Sequence, residues 1–316
     1  MFALCIESSH ARGMGHFYRA LNLIESMREA GLDCTMYLND HLPSLGILQK
    51  NNIDYRVVPL HEKNAKNWER DVIRQDHVSV WINDRLDTDV DHCQRVTSCD
   101  IPLVTFDDRG SGASLADLNI VALAFDENEQ LMGKRVVRGI DYLVLNPEIL
   151  LYRRVRNRVE RILVTMGGAD TYGVTVKVAK ELYDAGRKAD IIVGPSFEHK
   201  NELKKISGKK FRIKQGVPSL IAEFEKYDLA ITGGGITPFE ANASGLPCII
   251  IANELFEIPI GNALAQYGSS GFAGYHENMD NSLLSRQLNV EKMSQAGLEK
   301  ISLHGMRNVI DELKSL

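Results

Sequence analysis

Short apolar runs alternate along this chain with turn residues and amphipathic stretches. In the first half the runs Ala3–Glu7, Cys34–Leu38, Tyr55–Val58, Val78–Asn83, Leu103–Asp107 and Ile120–Ala124 predict strands. Between the first two, Leu21, Ile24 and Met27 recur at three-residue spacing and predict a helix. It should stop at Gly31, because glycine tolerates the left-handed backbone that ends many helices. A second series starts near Arg161, with strands predicted at Ile162–Thr165, Ile191–Val193, Phe211–Ile213, Leu229–Thr232 and Cys248–Ile251. Helices fit between them at Val174–Ala185, Ser219–Tyr227 and Pro238–Ser244. Strands that alternate with helices predict βα units around parallel sheets, an α/β class of doubly wound, Rossmann-like domains.

At 316 residues the chain is long enough for two domains of about 150 residues each. The expected division is 1–155, 156–302 and a C-terminal helical segment, 303–316, whose Met306–Leu316 stretch could pack on either domain. Arg153, Arg154, Arg156, Arg158 and Arg161 stud the crossing and suggest an exposed boundary, with a cleft between the domains. In such sheets ligands bind at the carboxyl ends of the strands.

Composition narrows the picture. Hydrophobic residues at 44% and charged residues at 25% are near the globular average, so a packed core is expected. A net charge of −5 argues against a nucleic-acid partner. The N-terminal run Met1–Ile6 has no basic flank and does not read as a signal peptide, and no apolar stretch is long enough for a transmembrane span. Five cysteines, an odd number mostly in apolar contexts, suit free thiols in a reducing compartment. The expectation is a soluble cytoplasmic protein with a small-molecule ligand.

Three glycine loops carry the candidate chemistry. After the first strand comes Arg12-Gly13-Met14-Gly15-His16-Phe17-Tyr18-Arg19. Paired glycines allow close backbone approach to a ligand, and a helix start offers free N–H groups to a phosphate or sugar oxygen. It is not a dinucleotide fingerprint, because the third glycine would fall at Tyr18, and no Gly-Lys-Ser/Thr follows as in a Walker loop. The same residues could simply make a tight turn with a packed histidine. At a helix N-terminus, however, the dipole favours a neutral imidazole, which is competent as a general base.

The second loop, Gly233-Gly234-Gly235-Ile236-Thr237-Pro238-Phe239-Glu240, follows a strand. Thr237 and Glu240 have capping-box spacing and Pro238 stands at the first helical position, so Glu240 could be purely structural. Alternatively the glycine backbone holds a pyrophosphate and Glu240 accepts both ribose hydroxyls. The third loop, Thr165-Met166-Gly167-Gly168-Ala169-Asp170, ends in a candidate helix cap at Asp170. Together the loops point to one extended ligand, with His10, Arg12 and Arg19 as nearby positive charge.

Other constellations are weaker. Asp87-Thr88-Asp89-Val90-Asp91 lacks the glycine and distal glutamate of a calcium loop, and His92, Cys93 and Cys99 lack paired zinc spacing. No metal is therefore expected. Asp107-Asp108-Arg109-Gly110 could line a cleft or make a turn with a surface ion pair.

In order along the chain, Gly13-x-Gly15-His16-x-x-Arg19, Phe106-Asp107-Asp108, Met132-Gly133, Tyr142-Leu143-Val144-Leu145, Val164–Asp170, Gly233–Glu240 and His304-Gly305-Met306-Arg307 resemble the UDP-sugar hydrolases of pseudaminic acid biosynthesis and their spore-coat polysaccharide relatives. More distantly, the glycine–histidine loop and the Gly-Gly…Glu helix resemble the murein glycosyltransferase. The resemblance implies a GT-B architecture, a UDP-sugar ligand held mainly by the C-terminal half, and no cofactor. It implies Glu240 on the ribose, backbone N–H groups of Gly234, Gly235, Ile236 and Thr237 on the diphosphate, and Val217 near the uracil. His16 would activate water, with Gly13, Met14 and Gly15 at the departing phosphate. Arg19, Gly167 and Gly168 complete the expected substrate contacts. The chain departs from the family at Ile6-Glu7-Ser8-Ser9, where an Arg-x-Asp segment is usual, and at Asn83-Asp84-Arg85-Leu86, where a tyrosine often follows the aspartate. Both segments shape the family's sugar pocket. A glycosyltransferase, with His16 deprotonating an acceptor hydroxyl, and a non-catalytic nucleotide-sugar binding protein are the alternatives.

Overall fold

The computed structural model describes every residue except 9–14, 61–66, 86, 169, 195 and 208–209, and omits the Ser207 side chain. The described chain forms two compact units, one running to Leu145 and completed by Leu303–Leu316, the other Asn146–Ser302.

The first unit is built on seven parallel strands: β1 (Phe2–Ile6), β2 (Cys34–Leu38), β3 (Tyr55–Val57), β4 (Val80–Asp84), β5 (Leu103–Phe106), β6 (Leu118–Val121) and β7 (Arg135–Arg138). Their order is β3-β2-β1-β4-β5-β6-β7. Helices cover both faces, so strands such as β1 are apolar at successive positions. Alternation divides them between two cores. Leu4, Ile6, Val80 and Ile82 pack under the helix Gly15–Glu29, whereas Ala3, Cys5 and Trp81 belong to the opposite face. That helix buries Phe17, Ala20, Leu21, Leu23, Ile24 and Met27, and the chain turns at Gly31 with φ +74°.

The second unit repeats the plan with β8 (Ile162–Thr165), β9 (Ala189–Val193), β10 (Phe211–Gln215), β11 (Leu229–Thr232), β12 (Cys248–Ala252) and β13 (Ser270–Tyr275), in the order β10-β9-β8-β11-β12-β13. In each sheet the winding reverses beside the first strand, between β1 and β4 and between β8 and β11. The carboxyl edge at such a reversal is where open α/β sheets bind ligands.

Several expectations are corrected. Edge strands β7 and β13 were not anticipated, since RVVR ends in exposed arginines and SGFAGY contains two glycines. The strand expected at Ile120–Ala124 is Leu118–Val121. Arg153, Arg154, Arg158 and Arg161 are exposed, but Arg156 is fully buried. Its guanidinium donates to the carbonyls of Phe224 (3.0 Å), Tyr227 (3.3 Å), Arg154 (2.9 Å) and Ser244, tying the segment into the second unit. Asp89 accepts the His92 N–H at 2.8 Å and so caps the helix Val90–Thr97. His92 itself is a satisfied core histidine between Glu69 (2.9 Å) and Asn83 (3.1 Å). Among the described residues no helix is long and apolar enough to cross a membrane.

The C-terminal helix Gly305–Lys314 packs on the first unit through Val309, Ile310 and Leu313, and Asn308 Nδ2 donates to the Asp141 carbonyl at 2.7 Å. A Cβ at Gly305 would collide with the Leu143 carbonyl oxygen. Gly305→Val should therefore unseat this helix and lower unfolding free energy by about 1–3 kcal/mol, as overpacking usually does. Denaturant melts of the full chain check this.

Candidate active site

In the first unit four side chains converge on the crevice beside β1 and β4. His16 and Arg19 are three residues apart on the first turns of the helix Gly15–Glu29 and so share a face. Asp84 closes β4 and Asp107 follows β5. His16 Nδ1 lies 2.5 Å from Asp84 Oδ1. Arg19 donates to the same carboxylate from Nε (2.7 Å) and Nη2 (2.5 Å), and from Nη1 to Asp107. Asp107 also accepts the Leu123 N–H at 3.0 Å.

Burial alone would raise the Asp84 pKa, but Arg19 and His16 outweigh it and hold the carboxyl well below the usual carboxylate range. An ionised carboxylate only accepts hydrogen bonds. Nδ1 of His16 therefore donates the proton, and the Nε2 lone pair is left for chemistry. The His16 side chain keeps 20% exposure while its partner Asp84 is sealed. This is the base–orienter pairing that general-base catalysis requires.

Sequence reasoning found His16 and put Asp84 only in a segment that shapes the sugar pocket, with no link to His16, 68 residues away. The usable signal was topological, because β4 pairs directly with β1 and sets Asp84 opposite Ile6. Asp107 forms an ion pair, though with the partly buried Arg19 rather than with Arg109 at the surface. Arg19, expected at the nucleotide, has all three guanidinium nitrogens engaged with Asp84 and Asp107 and acts as a brace. Gly15 opens the helix, while Gly13 and Met14 lie outside the described residues.

In the second unit the carboxyl ends of β8 and β11 are neighbours through the Thr165–Thr232 pairing, which brings the Gly167-Gly168 and Gly233–Glu240 loops to one edge. Val217 follows β10, two strands away, behind Gly216 with φ +68°. Gly167 has φ +83°, and Gly168 accepts the Ser196 N–H at 3.3 Å. Asp170 caps the helix Val174–Asp184 by accepting the N–H groups of Val174 (2.8 Å) and Thr175 (2.9 Å).

Part of the triple-glycine signal is packing. A Cβ on Gly233 would meet Asn253 Nδ2 at 2.5 Å, and one on Gly234 would meet Glu257 Cβ at 2.6 Å. Buried Glu257 accepts the Gly234 N–H at 3.1 Å and the Asn253 N–H at 2.7 Å. The Gly234 N–H is thus already occupied, a correction to its expected place among the phosphate donors. The N–H groups of Gly235, Ile236 and Thr237 have no acceptor among the described residues.

The capping box is also absent. Ile236 is the N-cap of the helix Thr237–Ala243 and no side chain caps it. The Glu240 carboxyl has no hydrogen bond or ion pair among the described residues, and burial pushes its pKa up to about 7. Desolvation is the cause of that rise, although the side chain is half-buried rather than sealed.

No family model matches the sequence. The chain is 24% identical over 320 residues to the spore coat polysaccharide biosynthesis protein SpsG of Bacillus subtilis, covering 96% of this chain and 92% of that protein. It is 25% identical over 283 residues to the uncharacterized protein MJ1062 of Methanocaldococcus jannaschii, covering 80% of this chain but 56% of that relative, so the chain spans about half its length. Among solved structures, MurG of Acinetobacter baumannii matches with a TM-score of 0.71 at 12% identity, over 100% of this chain and 99% of that one. The glycosyltransferase VinC in complex with dTDP matches with a TM-score of 0.63 at 13% identity, over 100% and 99%. The fold is that of the GT-B glycosyltransferases, and the sequence is related to a polysaccharide biosynthesis protein.

An unpartnered Glu240 has a measurable cost in stability. Its raised pKa means that the folded chain holds this proton more tightly than the unfolded one, so stability falls as pH rises from about 4.5 through about 7. Glu240→Gln should raise the thermal midpoint at pH 8 and leave it nearly unchanged at pH 5. A midpoint lowered at both values would indicate a structural role.

Proposed function

We propose that this protein is a cytoplasmic nucleotide-sugar hydrolase that cleaves UDP from a UDP-linked amino-deoxy sugar in surface-glycan or nonulosonic acid synthesis. The observation that carries the reading is the Asp84–His16 pair, which leaves one imidazole nitrogen bare at the carboxyl edge of the first sheet. On the second unit, Glu240 offers its unpaired carboxylate to the ribose hydroxyls. Gly235, Ile236 and Thr237 offer N–H groups to the diphosphate, with Gly167 and Gly168 beside them and Val217 toward the uracil.

In the reaction, His16 Nε2 takes a proton from water as the water oxygen bonds to the anomeric carbon. The bond from that carbon to the β-phosphate oxygen breaks and its electron pair leaves with UDP. Single displacement inverts the anomeric centre, and UDP is a good enough leaving group that no general acid is required. Backbone donors stabilise the charge that develops on the diphosphate. Asp84 fixes the tautomer and stabilises the imidazolium as it forms.

A second reading, transfer to an acceptor hydroxyl by the same base, is supported by the transferase structures that share the fold. Proton NMR of the full chain with a UDP-linked diacetamido-trideoxy sugar and no acceptor separates the two. Hydrolysis predicts UDP and free sugar, first appearing as the inverted anomer; bound but intact substrate supports transfer. His16→Asn should abolish turnover and leave UDP affinity within about twofold, because the base is asked only for proton transfer. Undiminished turnover would remove His16 from the mechanism.

A further inference from the structure

His92 lies on the helix Val90–Thr97, is 2% exposed, and has a hydrogen-bond partner at each ring nitrogen. A neutral imidazole has one N–H and one lone pair, so it needs one partner that accepts and one that donates. On the Nδ1 side stands Glu69 Oε1 at 2.9 Å. Glu69 is fully buried on the helix Trp68–Gln75, and Arg95 donates to it from Nε (2.9 Å) and Nη2 (2.8 Å). Burial would raise the Glu69 pKa, but the hydrogen bonds from His92 and Arg95 outweigh it and bring it down to about 2. An ionised carboxylate can only accept, so Nδ1 donates.

On the Nε2 side stands Asn83 Oδ1 at 3.1 Å. The same oxygen accepts the Trp81 Nε1–H at 2.9 Å, while the Asn83 NH2 faces Cys93 Sγ at 4.0 Å. An indole nitrogen is a donor only, so Trp81 fixes which end of the amide points inward. Turning the amide would set its NH2 against the indole N–H and leave that donor, in a fully buried tryptophan, without an acceptor. Nε2 therefore meets an acceptor too, and it also donates. Both ring nitrogens carry protons, and the ring is charged.

Burial presses the His92 pKa down most strongly, with Arg85 adding to it, while Glu69 and Asp89 press it up. The rings of Trp68 and Trp81 flank the imidazole at 5.9 and 5.8 Å. Against the burial stands the geometry, because a neutral ring would leave Asn83 or Trp81 with a mismatched partner in the core. Asn83 immediately precedes Asp84 on β4 and pairs with Cys5, on the sheet face opposite the helix that carries His16. We infer that His92 is a buried imidazolium that pins Asn83 and so acts as a positioning residue for Asp84, the partner of His16. The charge state stands apart from the nucleotide-sugar reading. The positioning role rests on that reading only for the use to which the Asp84–His16 pair is put.

The test is nitrogen-15 NMR of the histidine rings in the full chain, as wild type, Trp81→Phe and His92→Gln, followed with rising pH. In wild type both His92 nitrogens should be protonated at about pH 8, where an ordinary imidazole with a pKa of about 6.5 is neutral. A bare nitrogen on His92 at that pH overturns the proposal. Trp81→Phe removes the indole donor and frees the Asn83 amide to turn, so the His92 midpoint should fall by about one pH unit or more. An unmoved midpoint overturns the proposal as well, since Asn83 would then not be held as an acceptor. His92→Gln can donate to Glu69 or to Asn83 but not to both, and His16 should lose its single tautomer. His92 has no hydrogen bond to His16 or Asp84 among the described residues, so that loss reports positioning. An unchanged His16 spectrum in the folded variant confines His92 to the core and overturns the positioning role; should His92→Gln not fold, Asn83→Ala is read in the same way. These spectra need no substrate, so a failed UDP-sugar assay sinks the nucleotide-sugar reading and leaves them standing.

Discussion

A carboxylate kept ionised while nearly sealed from water is the constraint on which the rest of the candidate site depends. Asp84 is 1% exposed, and desolvation alone would drive it toward the neutral acid. Arg19 reverses that outcome with two hydrogen bonds, and the same guanidinium reaches Asp107 at the end of the next strand. The start of the helix Gly15–Glu29 is thereby fastened to the ends of β4 and β5. Because Asp84 stays charged, it can only accept, and that fixes which His16 nitrogen carries the proton. Without Arg19 the aspartate could protonate and donate, and the imidazole tautomer would no longer be dictated.

The second unit repeats the same winding with different residues at its strand ends. Among the described residues the ends of β8 and β11 carry backbone N–H groups and the carboxylates of Asp170, Glu240 and Glu257. Glu257 holds the glycine loop in shape by accepting from Gly234 and Asn253, and the N–H groups of Gly235, Ile236 and Thr237 have no acceptor among the described residues. Glycine at 233 and 234 is needed for packing, whereas nothing crowds a Cβ at Gly235. The three glycines therefore do two kinds of work.

The periodic elements were legible because burial on one helix face or both sheet faces leaves a repeating mark, as at Leu21, Ile24 and Met27 or in the CIIIA run of β12. The place of His16 at a helix start, and of the loops after β8 and β11 between strand and helix, was legible because glycine runs after apolar strands mark such turns. Asp84, Arg156 and Glu257 were not, since each acquires its role from partners far away in sequence or from burial that local composition does not encode. Arg156 lies in a run of otherwise exposed arginines and differs from them only in what it packs against. Glu240 was read both ways, as a cap and as a ribose ligand, and spacing alone could not separate them; the missing cap bond and the helical Ile236 remove the first.

The central claim is that Asp84 fixes the His16 proton on Nδ1 and bares Nε2. Nitrogen-15 NMR of the imidazole near pH 7 measures this directly. The account predicts a protonated, pyrrole-type Nδ1 and an unprotonated, pyridine-type Nε2, with that tautomer lost in Asp84→Asn. A proton resident on Nε2 in the wild-type chain, or a tautomer indifferent to the Asp84 substitution, would contradict it.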